Sequence, residues 1–210
     1  MTRQSGLRNA REAILRAAER IFAEKGLDGA RTEAIAQAAH VNKAMLYYYF
    51  KSKNGLFAAV MEKAIRQSNQ RIMAILSERG PATDVMLRYA ATMFDALSER
   101  PYSYFLFQRF LMTNPKVVER LMRTYGVPRI RRLTALIRRG VRRKEFRPVD
   151  PEQMAVSIGS LIIFYFSTGP AIKAVMRSDP FHPGTLGKRK QEMMDFIRYG
   201  LFKNPEASTP

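Results

Sequence analysis

Residues 32–50 read TEAIAQAAHVNKAMLYYYF, two short apolar-periodic segments separated only by His-Val-Asn. In the first, Ile35, Ala36 and Ala39 recur at helical spacing; in the second, Leu46 and Phe50 do. So short a connection leaves room for a tight turn and nothing else, so the spacing predicts two helices that share one apolar face. Asn42 suits the N-cap of the second, because its side-chain oxygen can accept from an unpaired amide of the first turn. A preceding helix, expected from about Arg8 to Lys25, carries Ile14, Ala18, Ile21 and Phe22 on one stripe and is closed by Gly26. Helix, tight turn and helix behind a stabilising helix is the layout of a helix-turn-helix DNA reader.

The row Tyr47, Tyr48, Tyr49 and Phe50 cannot be buried as a whole, since successive helical residues are turned by about 100°. Leu46 and Phe50 fall on the side that packs against Ile35 and Ala39, whereas Ala44 and Tyr48 point away from it. Tyr47 lies on the flank, with a ring that packs and a hydroxyl that meets a phosphate oxygen. Lys43, Lys51 and Lys53 surround this edge, and no acid occurs from Asn42 to Leu56. Such an edge suits a phosphate backbone; a solvated basic surface is the bland alternative.

The whole chain supports the polyanion reading. Its 210 residues carry 36 Lys and Arg against 18 Asp and Glu, a formal charge of +18. Cysteine is absent, which excludes disulfides, thiol nucleophiles and Cys-based zinc sites. With only His40 and His182, no glycine-rich phosphate loop and no paired-carboxylate motif, neither a catalytic site nor a metal or cofactor site is expected.

Helical periodicity continues to the end of the chain, and no comparable segment alternates with period two, so the fold class expected is all-α. A long helix should start at Ser52 or Lys53 and run to about Arg79, stopped by Gly80-Pro81. Later breaks fall at Pro101, Pro115, Gly126-Val127-Pro128, Pro148 with Pro151, Gly169-Pro170 and the loop SDPFHPGTLGK. A final helix is expected over Lys188 to Phe202, followed by a frayed tail. Two domains are expected, a DNA-binding head over residues 1–52 and a helical body over 53–210.

Residues 29–60, GARTEAIAQAAHVNKAMLYYYFKSKNGLFAAV, resemble the N-terminal signature of TetR-type transcriptional regulators. In that signature an IA-x-x-AGVS turn leads into a short helix ending LYxHF, and then into K-x-K-x-x-L. The resemblance implies that residues 43–50 form the recognition helix in the major groove of double-stranded operator DNA, with Lys43 and Ala44 at base edges. It places Tyr47, Tyr48 and Lys53 on phosphates, and Thr32 on the backbone at a helix N-terminus, with Arg31 as its rival. Departures are His40 at the turn glycine, Asn42 at the usual Ser or Thr cap, Asn54 at a common acid and Tyr49 at a common histidine. His40 must then adopt a left-handed conformation.

For the body the resemblance implies a ligand-binding and dimerisation bundle without fixing residues. The aromatic run YSYFLFQRFLM and the helix before it offer Met93, Phe94, Leu97, Phe105, Arg109 and Phe110 as contacts for a small-molecule effector, although an apolar stripe of this kind also makes ordinary core. Arg109 can meet an acidic ligand or water. Two C-terminal helices offer Ile158, Ile162, Phe166, Met193, Phe196, Ile197 and Leu201 for a four-helix homodimer interface. Such a dimer would present two recognition helices to half-sites of a palindrome, roughly 34 Å apart or a small multiple of that.

Two stretches need separate treatment. Gln153 to Ile172 carries no charge and has the length of a membrane span, but its Gly, Ser and Thr content and the Gly169-Pro170 break favour a helix buried in protein. No membrane partner is expected, and without an apolar signal core the protein is expected to be cytoplasmic. Between Arg129 and Arg147 nine basic residues surround Glu145, beside an apolar stripe. This amphipathic helix either solvates its basic face or makes a second electrostatic contact. The expectation overall is a sequence-specific DNA-binding regulator, a repressor released by a small molecule; the alternative is a sequence-independent binder of nucleic acid or anionic surfaces.

Overall fold

The computed structural model describes residues 3–208. Eleven α-helices follow one another among the described residues: α1 (Arg3–Gly29), α2 (Thr32–Ala38), α3 (Lys43–Phe50), α4 (Lys53–Ile75), α5 (Ala82–Ser98), α6 (Pro101–Met112), α7 (Pro115–Leu121), α8 (Val127–Arg142), α9 (Pro151–Ser167), α10 (Gly169–Met176) and α11 (Pro183–Leu201). A π-helical turn, Met122–Gly126, joins α7 to α8 without a break. The one strand-like feature described is an isolated bridge between Phe146 and Phe202. The all-α expectation holds, as no segment offers the alternating pattern a sheet needs.

Local chemistry explains the breaks. Pro101, Pro115, Pro151, Pro170 and Pro183 all sit in the first turn of a helix, where a missing N–H leaves no bond unmade, while Pro128 follows directly on the π turn. Gly26 has φ 68° and ψ −179°, a region open essentially to glycine alone, and there α1 kinks before its last turn. Helix α1 begins at Arg3, earlier than expected. Helix α4 ends at Ile75, sooner than expected, because the turn after it is held from α8: Arg139 donates to the carbonyl of Glu78 at 3.3 Å and Arg143 to that of Gly80 at 3.4 Å.

The last helix starts at Pro183 inside the expected loop, since Nδ1 of His182 caps it by accepting from the amide of Gly184 at 3.2 Å. The expected frayed tail forms a 3₁₀ turn over Pro205–Ser208, and its last two residues lie outside the described ones. The uncharged stretch around Gln153 to Ile172 bends by 75° between α9 and α10, and no single described helix is long and apolar enough to cross a membrane.

Two hydrophobic clusters organise these helices. One gathers Ile14 and Phe22 of α1, Ile35 of α2, Leu46 and Phe50 of α3, and Phe57 of α4, with Phe107 of α6 closing its base. The other gathers Ile72 of α4, Met86 and Phe94 of α5, Ile137 of α8, Ile162 and Phe166 of α9 and Ile197 of α11. Helix α4 contributes to both, so head and body meet along one continuous backbone rather than across a linker.

Candidate nucleic-acid interface and body cavity

The head displays α3 as the alternation of its residues predicts. Leu46 and Phe50 are buried against Ile35 and α1, whereas Ala44 is exposed and Tyr48 is 67% exposed. The helix starts where Asn42 accepts from the amide of Met45 at 2.9 Å, a bond that uses the Asn42 side chain as a cap. His40 takes φ 53°, the left-handed turn inferred from its place in the sequence. Tyr47 is half-exposed on the flank, with the ammonium of Lys43 5.8 Å from its ring centroid, and Lys51 stands 5.8 Å from that of Tyr48. Each of these exposed phenols thus has a cation beside it.

The remaining head residues are placed less uniformly. Arg31 is exposed and makes no cap bond, while Thr32 is buried and donates to Glu33 at 3.3 Å. Lys53 points inward, its ammonium 3.3 Å from the carbonyl oxygens of both Asp28 and Ala30, where it ties the end of α1 to α4. Lys43 is also bonded to Glu33, and this contact lowers the Glu33 carboxyl pKa to about 2 and raises that of Lys43. Glu33 was not foreseen at this face, since the acid-free stretch begins after it in the sequence and only folding brings it back.

In the body, a cavity of about 450 Å³ lies between α4, α5, α6, the π turn and α8. That is within the range of small-ligand sites, ~300–1,000 Å³. Met93 and Leu97 line it, as the sequence suggested. Phe94, Phe105, Arg109 and Phe110 do not: Phe94 is spent on the core, 5.1 Å from the ring of Phe166, Phe110 stacks on Phe107, and Arg109 is exposed. The lining instead includes Tyr104 and Gln108, from the same aromatic run, and Arg129 from the basic helix. Burial pushes the Tyr104 hydroxyl pKa up to about 12, with Arg129 and Gln108 pulling the other way. The signal for Arg129 was hidden, since one arginine among nine basic residues carries no mark of which points inward.

The C-terminal helices require a larger correction. Ile158, Ile162, Phe166, Met193, Ile197 and Leu201 are all buried within one chain, inside the core cluster, and so are already covered without a partner. Only Phe196 of the expected interface residues is exposed, at 68%, and it is accompanied by Val156 and Phe164 of α9 and Tyr199 of α11. The richest apolar stripe of each helix faces its own core, and the sparser stripe faces outward. An apolar groove between α9, α10 and α11 continues this outer surface past Ile172 and Val175.

Comparison with known proteins decides the class. Residues 14–60 match the model for bacterial regulatory proteins of the tetR family, and residues 84–197 match a tetracyclin repressor-like C-terminal domain. The chain belongs to the TetR family. The HTH-type transcriptional regulator RutR of Escherichia coli K12 is 26% identical over 193 residues, 90% of each chain. The repressor NicS of Pseudomonas putida is 40% identical over 74 residues, 33% of this chain and 35% of that protein. A TetR/AcrR-family regulator from Thermobifida fusca superposes with TM-score 0.74 at 21% identity, covering 89% of this chain and 95% of that one. The ketosteroid regulator KstR2 of Mycobacterium tuberculosis gives 0.66 at 18%, covering 92% and 95%. Identities that low show a shared fold alone. This TetR-family chain is accordingly a DNA-binding transcriptional regulator.

Proposed function

We propose that the chain is a homodimeric repressor that acts in the cytoplasm, binds a palindromic operator through α3 and leaves it when a small molecule enters the body cavity. The observation that carries this reading is the two-sidedness of α3: Leu46 and Phe50 anchor it, while Ala44, Tyr48 and the cationic edge stay exposed. In this reading Lys43 and Ala44 face base edges, and Tyr47, Tyr48 and Arg31 hold phosphates. Asn42 and Lys53 act one step back, as cap and brace. Residues 1–52 form the reading head, and 53–210 the body that senses and dimerises.

Exposed Val156, Phe164, Phe196 and Tyr199 supply the apolar surface for a second copy. Release needs an effector that binds better to the DNA-free arrangement than to the bound one. The reading is tested by sequencing genomic fragments retained by the purified protein and then footprinting the shared site across a salt series. A two-fold symmetric footprint with a large specificity ratio over random DNA supports it; equal affinity for random DNA rejects it.

A further inference from the structure

Three arginines reach the body cavity, and their partners differ. Arg71 pairs with Glu99 at 3.3 Å, and Arg100 pairs with Glu19 of α1. Arg129 has no carboxylate within ion-pair distance among the described residues; the hydrogen-bond partner of its guanidinium is the sulfur of Met93, at 3.7 Å. A thioether is a weak acceptor, and a guanidinium drawn partly out of water against apolar walls is poorly compensated by it. Among the described residues, Arg129 is therefore the cavity arginine without a paired carboxylate.

The groups around Arg129 complete a half-site. Tyr104, at the same cavity, accepts from Gln108, which leaves the phenol's own proton free to donate. A phenol keeps that proton at neutral pH in any case, and burial raises its pKa further, to about 12. A fork of guanidinium donors beside one neutral O–H matches a carboxylate, which takes two parallel bonds from arginine and a third from a hydroxyl. Beside the two paired arginines and a few neutral polar groups, much of the wall is apolar and flexible, with Met61, Leu97, Phe107, Leu111 and Met122 among its members. The π turn contributes Met122, Tyr125 and Gly126 to the lining, and such turns are frequent at functional sites.

From this arrangement we infer that the cavity takes an amphipathic monocarboxylate, its carboxylate on Arg129 and Tyr104 and its apolar body among the methionines and leucines. One unmatched cation calls for one negative charge, which favours a monoanion over a phosphate dianion. The inference deepens the reading of this cavity as the effector site and rests on it for its biological meaning, although the binding chemistry stands separately.

The test uses octanoate against octanol and hydrocinnamate against hydrocinnamyl alcohol, titrated calorimetrically into the intact chain. Each carboxylate is expected to bind about ten- to a hundredfold more tightly than its alcohol, the range for a charge-assisted bond. Arg129→Gln should collapse that ratio to within about threefold, Arg129→Lys should keep part of it, and Arg109→Gln, off the cavity, should leave it unchanged. Tyr104→Phe, which removes only an oxygen, should reduce the ratio and covers the case in which Arg129→Gln does not fold. Parity of acid and alcohol, no carboxylate binding below about 1 mM, or an undiminished ratio in folded Arg129→Gln each overturns the inference. Arg129-dependent carboxylate binding that leaves operator affinity unchanged overturns the effector reading instead, and leaves the anion preference standing.

Discussion

Glu33, in the first turn of α2, accepts a hydrogen bond from the ammonium of Lys43, in the first turn of α3, so an exposed ion pair bridges the two helices of the head. The bond lowers the Glu33 carboxyl pKa to about 2. A carboxylate depressed in the folded state contributes stability above its unfolded pKa, about 4.3, and loses it as pH falls through the folded value. Carboxyl resonances in NMR should show Glu33 still ionised near pH 4, where an ordinary glutamate is about half protonated, and Lys43→Ala should raise it toward the ordinary range, with the backbone and Thr32 bonds still holding part of the shift. Glu33→Gln, which removes an anion from the edge proposed to meet DNA and frees Lys43, should raise affinity for operator and random DNA alike in fluorescence anisotropy.

Lys43 and Tyr48 are both exposed on α3 but should fail differently. Lys43→Ala is expected to weaken operator binding and relax base preference at one position of each half-site, worth about 1–3 kcal/mol of discrimination. Tyr48→Phe should lower affinity evenly across sequences, and Lys51→Ala should reduce the salt slope by about 1. Competition binding with a randomised operator library separates these patterns, and unchanged profiles in all three variants would reject the groove assignment of α3.

The turn between α2 and α3 carries strain beside a good cap. His40 at φ 53° is in a conformation that costs a side chain on the order of 1 kcal/mol, so His40→Gly should raise the melting temperature slightly. Asn42→Ala removes the bond to the Met45 amide and should destabilise by about 1 kcal/mol in thermal unfolding. Opposite signs at two neighbouring positions are the expected result.

Gly140 of α8 lies against the ring of Phe146, where an added Cβ would sit 2.3 Å from Cδ2. The ring has nowhere to go, because it is buried and stacks on Phe202 with centroids 5.4 Å apart. Gly140→Ala should therefore destabilise the body by about 1–3 kcal/mol despite alanine's better helix propensity. Urea unfolding monitored by circular dichroism checks the value.

Neighbouring residues of α11 divide the two uses of that helix. Phe196 is exposed and Ile197 is buried, so Phe196→Arg should leave a folded monomer in sedimentation velocity, whereas Ile197→Arg should prevent folding by burying an unpaired charge. A Phe196→Arg protein that still sediments as a dimer would move the interface elsewhere.

How much of this was legible depended on whether one helix face or several competed for the same residues. In α3, Leu46 and Phe50 against Ala44 and Tyr48 left one way to bury the helix, and its bounds and cap followed from the residues alone. In α9 and α11 apolar residues stand on both faces, in α11 beside exposed Lys188, Gln191 and Glu192. The richer face, with Ile162 and Ile197, packs inward, and the outward face with Phe164 and Tyr199 was overlooked because apolar content does not say which neighbour covers it. Lys53 and Arg129 show a further limit, since the direction of a long cationic side chain is decided by carbonyls and cavities that other segments build. Glu33 was missed for a related reason: a stretch free of acids in sequence is not free of them in space.

Helix α4 has its early residues in the core under the recognition helix, its late residues in the core of the body, and Ala64, Ile65 and Ser68 against the cavity between. Its 23 residues span about 34 Å at 1.5 Å each. Stiff and anchored at both ends, it is the lever of the proposed release mechanism. Swinging one end by about 5° carries the other through about 3 Å, close to the rise of one base pair, so a guest pressing on its middle need do little locally to throw the two reading heads of a dimer out of step with their half-sites.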